Sequence, residues 1–238
     1  MAGDFRRWHM LVDEKLAVVP LGIELSNDGQ MTTDSRAIFR QRWRLAPENV
    51  AILFAAHNYS LKGLEPLLES FALMARTCPA ARLLVCGSNR DGRYRRRAAQ
   101  LGLAAQVRFL GFVDDVRECF ASVDLFVLPS FYDACSLVVL EALAAGLPVI
   151  TTRANGAAEL VSDGIDGYIV EAPWAKEQLA SRMHQLVADG QLRKSMSQQA
   201  QSGAARLSIE TSVEKMLEVL TDRGCLPAAN SLLGRAAA

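Results

Sequence analysis

Six short apolar runs alternate with amphipathic helical patterns from residue 50 onward, and this alternation restricts the possible folds more than any other feature of the chain. Between the first two runs, the apolar residues from Leu64 to Met74 recur at helical spacing. Strands that alternate with helices in this way form a parallel sheet through crossover connections. The sequence therefore predicts an α/β fold with a doubly wound, Rossmann-like sheet of about six strands, at 50–56, 81–87, 106–113, 124–130, 148–152 and 167–172.

Residues 1–49 do not follow this alternation. A short apolar run at 16–20 predicts a strand, and an arginine-rich helix is predicted around Ala37 to Leu45. We therefore expect residues 1–49 to be the end of a preceding domain followed by a linker. Residues 50–223 are expected to form the α/β domain, and 224–238 a frayed tail.

The charge balance and the cysteines exclude several classes of protein. Lys and Arg number 26, as do Asp and Glu, so bulk attraction to a nucleic acid is not expected. The five cysteines are odd in number and lack a C-x-x-C pair, which argues against a disulfide framework and a zinc site. The N-terminal residues carry charges and only a short apolar run, so we predict no secretory signal and a cytoplasmic protein.

Ligands of open parallel sheets bind at the carboxyl ends of the strands, where loops and helix N-termini meet. The loops at 57–63, 87–92, 131–136 and 153–159 are all predicted to lie at that carboxyl edge. None of them contains the G-x-G-x-x-G or P-loop pattern, which disfavours an NAD enzyme and an ATPase.

Lys62 and the helix start near Cys135 to Val138 are candidates for binding phosphate, since an ammonium group and a helix N-terminus both attract anions. The chain has only five lysines against 21 arginines, so the lysine in this loop does not simply reflect a lysine-rich composition. The alternative is a solvated loop lysine, and the residues alone favour neither interpretation.

Glu141 is the only charge in the stretch SLVVLEALAAGLPVI, at 136–150. An unpaired buried carboxylate costs several kcal/mol, so Glu141 needs either a protein donor or the hydroxyl groups of a ligand diol. Asp133 lies in the loop before the same predicted helix and is expected to approach the same cavity. Considered alone, Asp133 is better explained as a turn or capping residue.

The segment PSFYDACSLVVLEALAAGLPVITTRANGAAELVSDGIDGYIV, at 129–170, resembles the signature of the retaining family 4, or group 1, glycosyltransferases of the GT-B fold. In that signature an acidic residue is followed, after seven residues, by a glutamate and then by A-x-x-x-G-x-P-V-I. The likeness runs from EKLAVVPLGIEL to the region of Arg223 and implies the C-terminal, donor-binding half of a GT-B enzyme. The detail of FYDACSLVVLEAL resembles the lipopolysaccharide-core glucosyltransferases.

The resemblance assigns Lys62 to the donor diphosphate, Glu141 to the ribose hydroxyls and Asp133 to the transferred sugar. It makes Lys62 and Glu141 the catalytic candidates. Backbone at residues 134–137 is implied to lie under the phosphates, and backbone near Val113 to meet the base. The implied site residues are, in chain order, His57, Lys62, Gly63, Val113, Asp133, Ala134, Cys135, Ser136, Leu137 and Glu141.

The resemblance further implies transfer, with retention, from a nucleotide sugar, here expected to be a UDP-sugar, to a glycan or glycolipid acceptor of lipopolysaccharide type. Neither a metal nor another cofactor is implied. Because the family has two Rossmann-like domains, we expect this chain to be a fragment, a gene remnant, or one half of a two-chain enzyme in which a separate chain supplies the N-terminal half. Peripheral contact with the inner face of a membrane is an open alternative for the basic run at 90–97, although a solvated helix start is favoured there.

The chain departs from the family pattern at two places. His57 stands where the family usually has an arginine, so its positive charge is conditional near neutral pH. Asn155 and Gly156 replace the two glycines of a turn in the family's signature. The alternative function, a non-catalytic nucleotide-sugar-binding or assembly module, is favoured by the expected absence of the N-terminal domain. A nucleotide-sugar epimerase is disfavoured, because the resemblance through Asp133 and Glu141 is strongest to transferases.

Overall fold

A computed structural model describes residues 16–25, 33–223 and 225. Six parallel strands form one sheet in the order β3-β2-β1-β4-β5-β6, which confirms the predicted doubly wound fold. Every residue of β4 and β5 is buried, as expected for strands covered on both faces by helices. The strands are β1 (Val50–Ala55), β2 (Ala81–Cys86), β3 (Val107–Gly111), β4 (Leu125–Leu128), β5 (Val149–Thr152) and β6 (Gly167–Val170).

Eight α-helices are described, and two short 3-10 helices lie at Gly156–Leu160 and Ala204–Leu207. None of the helices in the described part of the chain is long and apolar enough to cross a membrane. The α-helices are α1 (Thr33–Arg42), α2 (Leu64–Ala75), α3 (Gly92–Gln100), α4 (Val116–Ser122), α5 (Leu137–Ala144), α6 (Lys176–Ala188), α7 (Gly190–Ser202) and α8 (Ile209–Asp222).

The sheet order places the loops after β1 and β4 next to each other. The chain proceeds outward from β1 through β2 to β3 and then returns, so that β4 pairs with β1 on its other side. The strand order therefore reverses between β1 and β4. In doubly wound sheets the ligand crevice opens at this switch point, outside the carboxyl ends of the strands.

The predicted strand at 16–20 is wrong. These residues have no regular secondary structure, and Ile23 instead makes an isolated bridge with Ser208. The Ile23 N–H donates to the Leu207 carbonyl, and the Ile209 N–H donates to the Ile23 carbonyl. The apolar run is not a strand because it lies beside the start of helix α8 and not beside a strand of the sheet.

The arginine-rich helix begins earlier than predicted, at Thr33. Its Arg36 and Arg40 reach Asp124, at 2.6 and 3.4 Å, and the same carboxylate accepts the Ala51 N–H. These contacts attach α1 to the sheet at the starts of β1 and β4. The proposed divisions at residues 49 and 223 remain predictions, and residues 224 and 226–238 lie outside the described part.

Candidate functional site

Gly63 brings the loop after β1 against the loop after β4. Its φ of 78° is left-handed, and a Cβ atom there would overlap the carbonyl oxygen of Pro129. The Phe131 N–H donates to the Leu61 carbonyl at 2.9 Å. The two loops at the switch point are therefore in backbone contact, and this contact requires a glycine at residue 63.

Lys62 and Asp133 form an ion pair across these two loops, between Nζ and Oδ2. The pair is largely shielded from solvent, since the side chains are 19% and 13% exposed. Sequence analysis predicted both residues at the carboxyl edge but did not predict their contact. The Asp133 carboxylate fixes the Lys62 ammonium group at the switch point, where an anionic ligand would meet it.

Asn155 organises the loop that carries Asp133. Its side chain is buried, Oδ1 accepts the N–H groups of Ser136 and Ala157 at 3.2 and 3.1 Å, and Nδ2 donates to Thr151. Sequence analysis noted Asn155 only as a replacement for a turn glycine. The role of Asn155 in ordering this loop could have been recognised from the Asx-type cap, in which an asparagine side chain accepts the N–H of the residue two positions later in the chain.

The N-terminus of α5 opens beside the ion pair. Helix α5 begins at Leu137, and the side chain of its N-cap residue, Ser136, caps no N–H of the described helix. Val138 is half-buried and Ala134 is exposed. Burial raises the pKa of the half-buried Cys135 thiol. The first turn of α5 thus offers backbone N–H groups and the positive end of the helix dipole to an anion.

Glu141 lies one turn further along α5 and is half-buried. Burial raises the pKa of this carboxyl group, with Arg117 opposing that shift and Asp115 adding to it. Arg117 is itself paired with Asp115 at 2.8 Å. The Glu141 carboxylate makes no hydrogen bond or ion pair with any residue that the structure describes, whereas its backbone carbonyl accepts the Ala145 N–H. The sequence predicted that Asp133 and Glu141 approach one cavity, whereas the charges that act on Glu141 belong to the start of α4.

His57 is fixed on the β2 and β3 side of the switch point. Its Nδ1 lies 2.8 Å from the Gly87 carbonyl, which can only accept, so Nδ1 carries a proton and Nε2 is left for a ligand. The imidazole stacks on Phe112, with ring centroids 6.1 Å apart. The Phe112 N–H donates to Asn89 Oδ1 at 3.0 Å, and half-buried Val113 follows. Sequence analysis did not single out Phe112 or Asn89.

A cavity of about 430 Å³ lies beside the Asp133 loop, among Tyr132, Arg153, Asn155, Glu159 and Ile169. Neither Lys62 nor Glu141 lines it, and among the described residues no group of three or more His, Cys, Asp or Glu side chains is placed to hold a metal ion.

Three of the five arginines in the run at 90–97, namely Arg93, Arg95 and Arg97, make side-chain contacts within the domain. Arg95 pairs with Asp91 at 2.8 Å, and Arg97 pairs with Glu69 on α2. These pairs favour the interpretation of the run as a solvated helix start over a lipid-binding surface.

Comparison with known proteins shows which family the chain resembles. Residues 35–203 match the family model described as glycosyl transferases group 1. The lipopolysaccharide glucosyltransferase WaaG of Escherichia coli (strain K12) is 27% identical over 220 residues, which are 92% of this chain and 59% of WaaG. The chain thus spans about three fifths of that relative.

Solved structures are similar over the same region. A crystal structure of WaaG superposes with a TM-score of 0.78 at 26% identity, covering 92% of this chain and 60% of that one. Anabaena Alr3699/HepE in complex with UDP-glucose has a TM-score of 0.73 at 24% identity, covering 84% and 56%. The C-terminal domain of the Francisella tularensis group 1 protein LpcC has a TM-score of 0.66 at 23% identity, covering 77% and 97%. The last two likenesses concern the fold alone.

Proposed function

This chain belongs to the group 1 glycosyl transferases, and we propose that it is the C-terminal, donor-binding half of a GT-B enzyme of the retaining family 4 type. The proposed reaction moves a sugar from a UDP-sugar to a glycan or glycolipid acceptor of lipopolysaccharide type. The observation that carries the proposal is Lys62, held by Asp133 beside the N-terminus of α5 at the switch point. Titration of the chain with UDP-glucose tests it, and failure to bind would contradict it.

The proposed mechanism uses positive charge supplied by the protein. The donor diphosphate lies against the first turn of α5, where backbone N–H groups and the helix dipole meet Lys62. As the bond from the sugar to the diphosphate breaks, negative charge grows on the leaving oxygen, and these groups stabilise it. Asp133 then lies beside the transferred sugar. We propose that no metal or other cofactor takes part, because Lys62 and the helix supply the needed charge.

Glu141 is proposed to bind the ribose hydroxyls. Its carboxylate has no partner among the described residues, and each hydroxyl bonded to a charged group contributes about 1.5–3 kcal/mol. Asp115 and Arg117, whose charges act on Glu141, follow Val113 closely in the chain, at the start of α4. The nucleoside is therefore proposed to lie between α5 and the loop after β3, with the base near Val113.

Glu141→Gln is expected to weaken UDP-glucose binding by roughly tenfold while stabilising the fold at pH 7. Because burial raises the pKa of Glu141, the folded protein retains a proton in a pH interval where the unfolded chain has released it. Stability therefore falls as pH rises through that interval, and the cost is complete above it. Calorimetric titration and thermal unfolding measure the two effects.

The stabilising effect of Glu141→Gln should disappear below the ordinary carboxyl range, where the native glutamate is also neutral. Glu177→Gln is the matched control, since Glu177 is an exposed glutamate on α6 and not one of the proposed site residues. Unchanged donor affinity in the Glu141 variant would remove Glu141 from the donor site.

A separate chain that carries the N-terminal half is proposed as the partner, and it would cover the apolar face of α8. Four large side chains on this face, Ile209, Val213, Met216 and Leu217, are 45–48% exposed. They recur at helical spacing, so they form one stripe along α8. A contiguous exposed apolar patch of this kind marks an interaction surface.

Val213→Asp combined with Met216→Asp is expected to lower transfer at least tenfold in a mixture of this chain with a candidate N-terminal chain. The reason is that two charges would have to be buried at the contact. UDP-glucose affinity of the chain alone should not change. Glu218→Ala on the same helix is the control, and equal transfer by the two variants would exclude α8 from the contact.

A non-catalytic nucleotide-sugar-binding module is the second candidate, because Lys62 and the first turn of α5 suffice to bind a diphosphate whether or not transfer follows. Binding of UDP-glucose without transfer in any mixture would select it. We place the proposed enzyme in the cytoplasm, peripherally at the inner face of the membrane, because a lipid-linked acceptor would be presented there.

A further inference from the structure

We propose that the cavity beside the Asp133 loop binds a sugar ring of the acceptor. This inference rests on the proposed function and extends it, because it assigns to the donor-binding half a part in acceptor recognition. The cavity has a volume of about 430 Å³, which lies within the range of small-molecule sites.

The order of the strands determines the order of the proposed subsites along the carboxyl edge of the sheet. Val113 follows β3, Lys62 follows β1 and Asp133 follows β4, while the cavity lies at the ends of β5 and β6. A nucleotide sugar with its base near Val113 and its diphosphate at Lys62 therefore presents its sugar at Asp133. The next position in this direction is the cavity, where the group that receives the sugar would lie.

The cavity and the Asp133 site share a backbone wall. The Asp133 N–H donates to the Ala154 carbonyl at 3.1 Å, and the Gly156 N–H donates to the Asp133 carbonyl at 2.9 Å. Ala154 and Gly156 line the cavity, and so does Tyr132, the neighbour of Asp133. A sugar bound in the cavity would thus lie next to the transferred sugar, as the bond-forming step requires.

The side chains around the cavity suit a carbohydrate, which has apolar ring faces and hydroxyl groups at its edges. Tyr132 is 57% exposed and offers a flat ring with a hydroxyl group. Glu159 is exposed and makes no ion pair with the residues described, so its carboxylate can accept hydrogen bonds from hydroxyl groups. Arg153 pairs with Glu171 at 2.8 Å, and Ile169 adds an apolar surface.

The experiment measures binding to the full chain by nuclear magnetic resonance titration, with deacylated lipopolysaccharide core oligosaccharide as the probe and UDP present. Tyr132→Ala is expected to raise the oligosaccharide Kd about fivefold, because one aromatic contact with the sugar is lost. The UDP Kd should not change. Ile165→Ala is the matched control because its side chain is as exposed, at 56%, and lies before the start of β6, at the amino edge of the sheet. Ile165→Ala should preserve oligosaccharide binding.

The other outcomes would contradict either this inference or the proposed function. If Tyr132→Ala weakens binding of UDP-glucose but not of UDP, the cavity holds the donor sugar and the inference is wrong. It is also wrong if the native chain binds UDP but not the oligosaccharide, or if Tyr132→Ala binds the oligosaccharide as tightly as the native chain. If the native chain binds neither UDP nor UDP-glucose, the proposed function itself fails.

Discussion

Lys62→Ala is expected to lower the transfer rate of the assembled enzyme by about 10²–10³-fold, the usual effect of removing a group that stabilises charge in the transition state. UDP-glucose binding to the chain should weaken by roughly tenfold or more, because a charge-assisted hydrogen bond is lost. Both effects follow from the position of the ammonium group at the switch point beside α5. Calorimetric titration and a steady-state transfer assay measure them.

The controls separate loss of the site from loss of the fold. Lys62→Ala leaves the Asp133 carboxylate, 13% exposed, without its cation and so should also destabilise the domain. Adding Asp133→Asn removes that charge, so the double variant should regain stability while UDP affinity stays low. Lys194→Ala, at an exposed lysine on α7, should change neither quantity. Native UDP affinity in Lys62→Ala would exclude Lys62 from the donor site.

The sheet could be predicted because its inner strands, β1, β2, β4 and β5, are buried on both faces and therefore consist of apolar runs. All of β4 and β5 is buried, and the observed strands lie within the predicted runs. The run at 16–20 carries the same local signal but is not a strand. Whether an apolar run joins a sheet depends on a partner strand at the right position, which local composition does not encode.

The sequence predicted which loops form the site, but it did not predict which side chains contact each other there. The rule for parallel sheets places Lys62 and Asp133 at one edge, yet their pairing depends on how closely two loops approach. That approach is decided by Gly63 against Pro129 and by the hydrogen bond from Phe131 to Leu61, both distant in sequence. For Glu141, the residues alone predicted only that its carboxylate needs a hydrogen-bonding partner, and not which group that partner is.

Gly63→Ala is expected to destabilise the domain by about 3 kcal/mol or more, a fall in Tm of about 6–12 °C for a chain of this size. Two costs add at this residue. A left-handed φ costs a non-glycine residue about 1–2 kcal/mol, and the new Cβ would overlap the Pro129 carbonyl oxygen, which belongs to the backbone and cannot turn aside.

Gly102→Ala separates these two costs, because Gly102 has nearly the same φ, 75°, with no atom within 4 Å of the added Cβ. Gly102→Ala should therefore lower the stability by only about 1–2 kcal/mol, and UDP affinity should not change. In Gly63→Ala the loops after β1 and β4 must move apart, so Lys62 separates from Asp133 and UDP binding weakens even where the protein remains folded. Equal Tm values for the two variants would show that the contact between Gly63 and Pro129 does not hold the site together.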